Sequence, residues 1–452
     1  MAQTLGPVAA LLLGVFFLVT GSGLQNTLLP LRGAFEGFSA VQLGLLGSSY
    51  YLGFVTGCLL VPHLVRRSGH IRAFAALTAG VVASMMAHPL FIDPFVWFGL
   101  RAITGFCFAG LYLVIESWLN DRATNQTRGF VMSAYVIVDY AALTAGQMMI
   151  TLYPVRGFEL FAFATILFAL ATLPVAMTSA GQPAPIETAR IRIWHLFKAA
   201  PVAVVGCFVI GLTNGSLWSL GPIFGIGRGL TADGAATFMS AAVVAGAIAQ
   251  WPIGYISDRM DRRRILAALM VGALLAGLAL GVFQFGLLGL CILALFYGAL
   301  SLPAYSLAAA HAYDRTAPAE AVETAAGLLL AYGIGSVAGP SVASFGMMHY
   351  GPGALFLFTA ASHTLLLLFV VWRMTCREKT PPHLAEKVGE TAASAATGTV
   401  PIPEPDVEPV AAPRMAASTA SASRPATHMA PPANPAADAP FPTEQDGRSD
   451  GA

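Results

Sequence analysis

The sequence predicts an all-α membrane protein with twelve transmembrane helices. Three observations carry that reading. Only 10% of the 452 residues are charged, 56% are hydrophobic and mean hydropathy is +0.70, whereas a soluble protein carries about 25% charged residues. The apolar residues fall in continuous runs of about 20, enough to cross a ~30 Å hydrocarbon core as a helix. The short loops between the runs alternate sharply in charge. Long unbroken runs also exclude a β-barrel, whose strands alternate residue by residue.

In order, the expected spans are 8–31, 43–62, 73–92, 95–119, 129–152, 158–178, 201–224, 233–256, 264–284, 286–311, 322–347 and 353–374. The first run lacks a basic leader and a small-residue cleavage site, so it is expected to be retained as a helix. Loops after the even-numbered spans hold Arg66, Arg67, Arg72, Arg122, Arg262, Arg263 and Arg264. The opposite side holds only Arg32, Arg156 and Arg228. By the positive-inside rule both termini are expected in the cytoplasm.

Four parts follow: a first six-helix bundle over 1–178, a cytoplasmic linker over 179–200, a second bundle over 201–376 and a tail over 377–452. The linker, polar and basic, is expected to hold a short surface helix. The tail is rich in Pro, Ala, Ser and Thr and cannot bury enough apolar surface to offset its chain entropy, so it is expected to be disordered.

The two bundles repeat. Gly37-Phe38-Ser39-Ala40 returns as Gly229-Leu230-Thr231-Ala232 at an offset of 192, and the same offset pairs Pro30 with Pro222, Arg67 with Arg259 and Arg72 with Arg264. One residue later in register, Asp121-Arg122 matches Asp314-Arg315 and Gly146 matches Gly339. A parallel duplication implies a pseudo-two-fold axis along the membrane normal, with a polar interior between the halves.

This pattern resembles the major facilitator superfamily. Gly254, Asp258, Arg259, Arg262, Arg263 and Arg264 stand as in that family's G-x-x-x-D-R-x-G-R-R turn, with Asp261 in place of the second glycine. The first half departs from it: Arg67, Gly69 and Arg72 fit, but Arg66 occupies the acidic position. Arg101 followed by Gly105 is similar to the family's R-x-x-x-G element in span 4. Gly333, Gly335, Gly339 and Pro340 resemble its G-x-x-x-G-P antiporter element, but in span 11 rather than span 5. The stretches Gly69-His70-Ile71-Arg72 and Glu116-Ser117-Trp118-Leu119-Asn120-Asp121-Arg122 resemble the YcaD-like bacterial subgroup. The resemblance implies the major facilitator fold and secondary transport, and names no substrate.

Arg101, Glu116 and Asp139 are ionisable residues inside spans, and such residues face a protein interior or water, not lipid. Their repeat equivalents are Leu293, Ala308 and Tyr332. The second half therefore builds the same scaffold without these charges, which points to function in the first. Along their helices Arg101 lies about 9 Å from one membrane face and Asp139 about 16 Å from the other. An Arg101–Asp139 pair is feasible at those depths, whereas Glu116 lies ~22 Å from Arg101 on the same helix. The expectation is that Asp139 or Glu116 exchanges a proton as the halves rock, with Arg101 tuning the acid. The alternatives are a fixed ion pair orienting spans 4 and 5 and, for Glu116, pairing with Arg66 or Arg128 at the interface.

Ser22, Gln25 and Asn26 in span 1, Asn214 and Trp218 in span 7, and Gln250 in span 8 are candidates to line a substrate cavity, with Tyr112 and Tyr135. Interhelical hydrogen bonding is the competing explanation for the amides. The basic turns, Arg67, Gly69 and Arg72 in one half and Gly254, Asp258, Arg259, Arg262 and Arg263 in the other, are expected to latch the cytoplasmic side. In that latch Asp258 meets a facing helix N-terminus and Arg259 meets an acid, holding the outward-open state; the alternative is that Arg262, Arg263 and Arg264 serve only as an orientation signal.

Cys58, Cys107, Cys207, Cys291 and Cys376 share no short spacing, and the histidines form no metal set. There is no phosphate-binding loop and no nucleophile elbow. No cofactor, metal or nucleic acid is expected. The expected partners are the lipid bilayer, a small-molecule substrate and a proton gradient, with the chain acting as a monomer in a bacterial inner membrane. The leading expectation is proton-coupled efflux of a small organic solute. An importer or uniporter, or a non-transporting sensor acting through the tail, are the alternatives. One arginine is thin counter-charge for a phosphate compound, so neutral, cationic or amphipathic cargo is favoured over polyanions.

Overall fold

The structure, a computed structural model, describes residues 2–122, 127–177 and 192–376. The tail and most of the expected linker therefore lie outside the described residues. The first half comprises α1 (Ala2–Phe35), α2 (Ala40–Ser68), α3 (His70–Leu90), α4 (Pro94–Arg122), α5 (Arg128–Met148), which tightens into a 3-10 turn over Met149–Leu152, and α6 (Glu159–Ala176). The short α7 (Ile193–Ala199) precedes the second half. That half comprises α8 (Pro201–Gly227), α9 (Ala232–Ser257), α10 (Arg262–Val282), α11 (Leu287–Ser301), α12 (Ala304–Tyr313), α13 (Ala321–Tyr350) and α14 (Ala354–Thr375). No strand occurs among the described residues.

Among the described residues eleven helical stretches are long and apolar enough to cross a membrane, and Glu159–Val175 is a shorter apolar helix. The expected spans coincide with these segments, with one correction. The run 286–311 is not one helix but α11 and α12, interrupted at Leu302-Pro303. Pro303 has no N–H to give and its ring crowds the preceding turn, so the helix stops and restarts. The bond from Leu302 N to Gly298 O closes the first piece, and Leu307 N to Pro303 O opens the second.

The sequence repeat is a repeat of structure. After α1 and α8 the chain turns through Gly37 (φ 84°) and Gly229 (φ 87°), conformations open to glycine at little cost. Phe38 N bonds back to Gly33 O and Leu230 N to Gly225 O, the six-to-one closure of a helix C-terminus. The next residue then caps the following helix: Ser39 accepts from Gln42 N at 3.3 Å and Thr231 from Gly234 N at 3.2 Å.

The helix seams repeat too. A Cβ on Gly146 would strike Thr20 O, and one on Gly339 would strike Leu212 O. A Cβ on Gly105 would strike Tyr50 O, and one on Gly298 would strike Ala242 O. Each pair is related by the sequence offset. Thus α1 packs on α5 as α8 packs on α13, and α2 on α4 as α9 on α11. Outward faces carry exposed apolar side chains such as Phe95, Leu288 and Leu365, the surface a lipid-facing helix presents.

The halves meet chiefly through α2 against α13 and α5 against α9. Ser48 and Ser341 hydroxyls lie 2.8 Å apart, and Ser240 donates to Gln147 Oε1 at 3.1 Å. Gly44 abuts Pro340 and Ser344, and Gly47 abuts Ser219. Deeper, Gly333 packs on Val55 and Gln250 donates to the Tyr140 hydroxyl at 3.2 Å. The serine, Gln147, Gly44 and Gly47 contacts lie toward the end opposite the basic turns, Gly333 on Val55 is near mid-helix, and Gln250 with Tyr140 lies past the middle of α9 toward its basic end. No hydrogen bond between the halves is seen nearer the basic end among the described residues. The Gly333–Pro340 element thus forms both the α8–α13 seam and the closed seam between the halves.

Candidate functional site

The site is built where the middles of α1, α2, α4 and α5 look across at α8, α9, α12 and α13. Asp139, on α5, is partly exposed and makes no hydrogen bond or ion pair among the described residues. Glu116, in the last quarter of α4, is exposed. It lies within electrostatic reach of Asp139, Tyr112 and Tyr135 in its own half and of Tyr305 in the other. Tyr112 is half-buried and Tyr135 buried.

The expected Arg101–Asp139 ion pair is not formed. Arg101 is 7% exposed and donates from Nη2 to Asn26 Oδ1 at 3.3 Å. Its guanidinium sits 4.4 Å from the centroid of the Tyr50 ring. Similar depth was the only ground for pairing it with Asp139. The helix rotation turns it instead toward α1 and α2, where the glycine seam Gly105–Tyr50 draws α4 against α2.

The span 1 candidates divide. Asn26 is half-exposed and donates to Ser22 Oγ at 3.3 Å, and Ser22 itself is buried. Gln25 is fully buried, and neither of its amide atoms finds a partner. Asn214 is buried, accepting from Ser301 Oγ at 3.4 Å, and Trp218 is half-buried. Gln250 is the one expected candidate that bonds across the halves, through Tyr140.

Besides Tyr112 and Tyr135, the interior holds Tyr50, Tyr51, Tyr140, Tyr305 and Tyr332, which the sequence pattern does not single out as cavity residues. Tyr305 and Tyr332 rings are 5.1 Å apart, and Tyr332 is in reach of Tyr50, Tyr51 and Tyr140 in the other half. A signal was present: these hydroxyls stand in otherwise apolar runs. Which of them face one another is a matter of helix rotation.

The contacts expected of the latch are not formed in this state. Asp258 does not meet a facing helix; it pairs with Arg262 one turn on, at 3.2 Å. Arg259 lies over the Tyr255 ring at 3.5 Å rather than against an acid. Arg262 is the hub, reaching Asp314 at 2.6 Å and Ser257 at 3.1 Å, all within the second half. Arg263 pairs with Asp261, which caps α10, and the Arg263 hydrogen bond holds the Asp261 carboxyl below the usual range. Gly254 O accepts from Ser257 Oγ at 2.8 Å. In the first half Gly69 turns at φ 79° between α2 and α3, with Arg67 and Arg72 exposed. His70 Nε2 lies 3.2 Å from Ser117 Oγ, and its ring is 6.1 Å from Trp118. The two stretches that carried the subgroup resemblance therefore pack on each other.

Among the described residues no group of His, Cys, Asp and Glu has the geometry of a metal site. A cleft of about 320 Å³ lined by Arg228, Gly281, Tyr350 and Gly353 lies at the far end of the second half. Arg228 Nη2 donates there to the carbonyls of Leu280 and Gly281, at 3.0 and 2.7 Å, while its buried Nε has no partner among the described residues. It is remote from the acids.

Residues 11–330 match the family model described as Major Facilitator Superfamily. An MFS-type transporter of Enterobacter sp. (strain 638) is 29% identical over 367 residues, covering 81% of this chain and 95% of that relative. The MFS-type transporter YcaD of Escherichia fergusonii matches at the same identity and coverage. Among solved structures, the nucleoside transporter NupG superposes with a TM-score of 0.71 at 14% identity, covering 82% of this chain and 100% of NupG.

Proposed function

The chain belongs to the major facilitator superfamily, and we propose that it is a proton-coupled secondary transporter exporting a small organic solute across a bacterial inner membrane. Its relatives are transporters, not enzymes. Alternating access is the working cycle: the halves rock about a polar midline and open it to one side at a time. The observation that carries the reading is the one-ended closure. Ser48–Ser341 and Gln147–Ser240 join the halves at the end away from the basic turns, while Asp139 lies deeper on α5, next to Tyr140, which bonds Gln250 of the other half. With the basic turns cytoplasmic, this is the state open to the cytoplasm.

In this reading Asp139 carries the proton. A carboxyl moved between a wet and a dry setting changes its proton affinity, because burial disfavours the charged form. Glu116, exposed on the path from the basic end, feeds it. Arg262, tied here to Asp258 and Asp314, becomes free to bridge the halves when the cytoplasmic side closes.

The test is proton flux in reconstituted vesicles holding a trapped pH dye, screened with small organic solutes. A substrate should drive an internal pH change with the wild type and none with Asp139→Asn. Undiminished flux in that variant would exclude the proton role, and no flux with any solute would count against coupling altogether.

A further inference from the structure

Arg101 is buried without a counter-charge. Nη2 has Asn26, but Nε and Nη1 meet no acceptor. No ion pair includes Arg101 among the described residues. The titratable groups near it are Tyr50, Tyr51 and His88, and none supplies a negative charge at neutral pH. A guanidinium at this depth is costly unless an anion reaches it. Packing does not explain it, because Leu293 fills the equivalent place in the second half.

The surroundings describe what would fit. Three N–H donors, two on Nη1 and one on Nε, stand free and call for an oxygen anion. One guanidinium balances one negative charge. The Asn26, Tyr50 and Tyr51 side chains are half-exposed, so a molecule in the polar midline meets them first. Behind Tyr50 stand the Phe54 and Phe108 rings, at 6.3 and 6.4 Å. Gln25, the neighbour of Asn26 in sequence, is a second fully buried side chain whose polar atoms have no partner.

We propose that Arg101, with Asn26 and the Tyr50 ring, forms the subsite for the carboxylate of an aromatic monocarboxylate cargo. This rests on the transporter reading. Arg101 then acts on the substrate rather than on Asp139, and cargo entry supplies the missing counter-charge.

The test is equilibrium binding to purified protein in nanodiscs without any gradient, by thermal shift and calorimetry. The probes are benzoate, phenylacetate and 3-phenylpropionate, with benzamide and benzylamine as matched neutral and cationic controls. At about 10 mM, ample for a Kd near 1 mM, at least one carboxylate should stabilise the wild type while both controls do not. Arg101→Gln should weaken that binding by about tenfold or more, the loss of a charge-assisted hydrogen bond, and Arg101→Lys should retain part of it. Without ligand, Arg101→Gln should unfold no earlier than the wild type, since it abandons no ion pair. A carboxylate set that fails to bind, binding that survives Arg101→Gln, equal binding of benzamide, or a ligand-free variant that unfolds early would each overturn the subsite. Proton flux without carboxylate binding would leave the transporter reading standing and remove this one. Binding without proton flux would leave the subsite standing and remove the proton coupling alone.

Discussion

The Ser48 and Ser341 hydroxyls, on α2 and α13, sit 2.8 Å apart and fasten the two halves at one end. If the halves rock, this contact must part in every cycle. Cysteines at both positions, in a background lacking the five native cysteines, should form a disulfide on mild oxidation. Transport should stop and return on reduction. Cross-linked protein that still transports would mean the seam never opens.

Asp139, on α5, stands in electrostatic reach of Glu116, Tyr112, Tyr135 and Tyr140. Asp139→Asn should abolish flux driven by a pH gradient while leaving exchange of labelled for unlabelled substrate. If Glu116 feeds Asp139, Glu116→Gln should slow gradient-driven flux without removing it. Loss of exchange in Asp139→Asn would recast that residue as a substrate contact.

Gly105 is held by geometry rather than chemistry. Any Cβ there would run into the Tyr50 carbonyl. Gly105→Val should force α2 and α4 apart and cost about 1–3 kcal/mol, the usual range for overpacking. The shift in thermal unfolding measures it. Since Tyr50 also covers Arg101, carboxylate binding should weaken with it. A variant as stable as the wild type would show that the seam yields.

Asp261 caps α10 by accepting from Arg263 N at 2.9 Å. Its carboxyl is held below the usual range, first by the Arg263 side-chain hydrogen bond. A depressed acid stabilises fully above its unfolded pKa, about 3.9, and the gain is lost as pH falls through the folded value. Asp261→Ala should therefore cost about 1 kcal/mol at neutral pH, the worth of a cap. The gap to the wild type should narrow below about pH 4. A difference that stays constant down to pH 3 would show that the ionised carboxylate contributes nothing.

The apolar segments and the duplication were legible in the chain itself. Apolar run length is a local property, and a duplicated sequence repeats its caps and seams wherever it goes: Gly37-Phe38-Ser39 and Gly229-Leu230-Thr231 adopt one conformation twice. The presence of Arg101, Glu116 and Asp139 inside spans was equally plain, as was their absence from the second half. What only the tertiary structure decided was partnership. Depth along a helix can be counted from a sequence, but rotation about its axis is set by packing, here by close glycine seams such as Gly105 on Tyr50 and Gly146 on Thr20. That rotation gave Arg101 to Asn26 and Tyr50 instead of Asp139, drew the tyrosines together at the midline, and tied Arg262 to Asp314 rather than to the other half. Charged groups choose partners within a few ångströms, and distances that short belong to the assembled bundle.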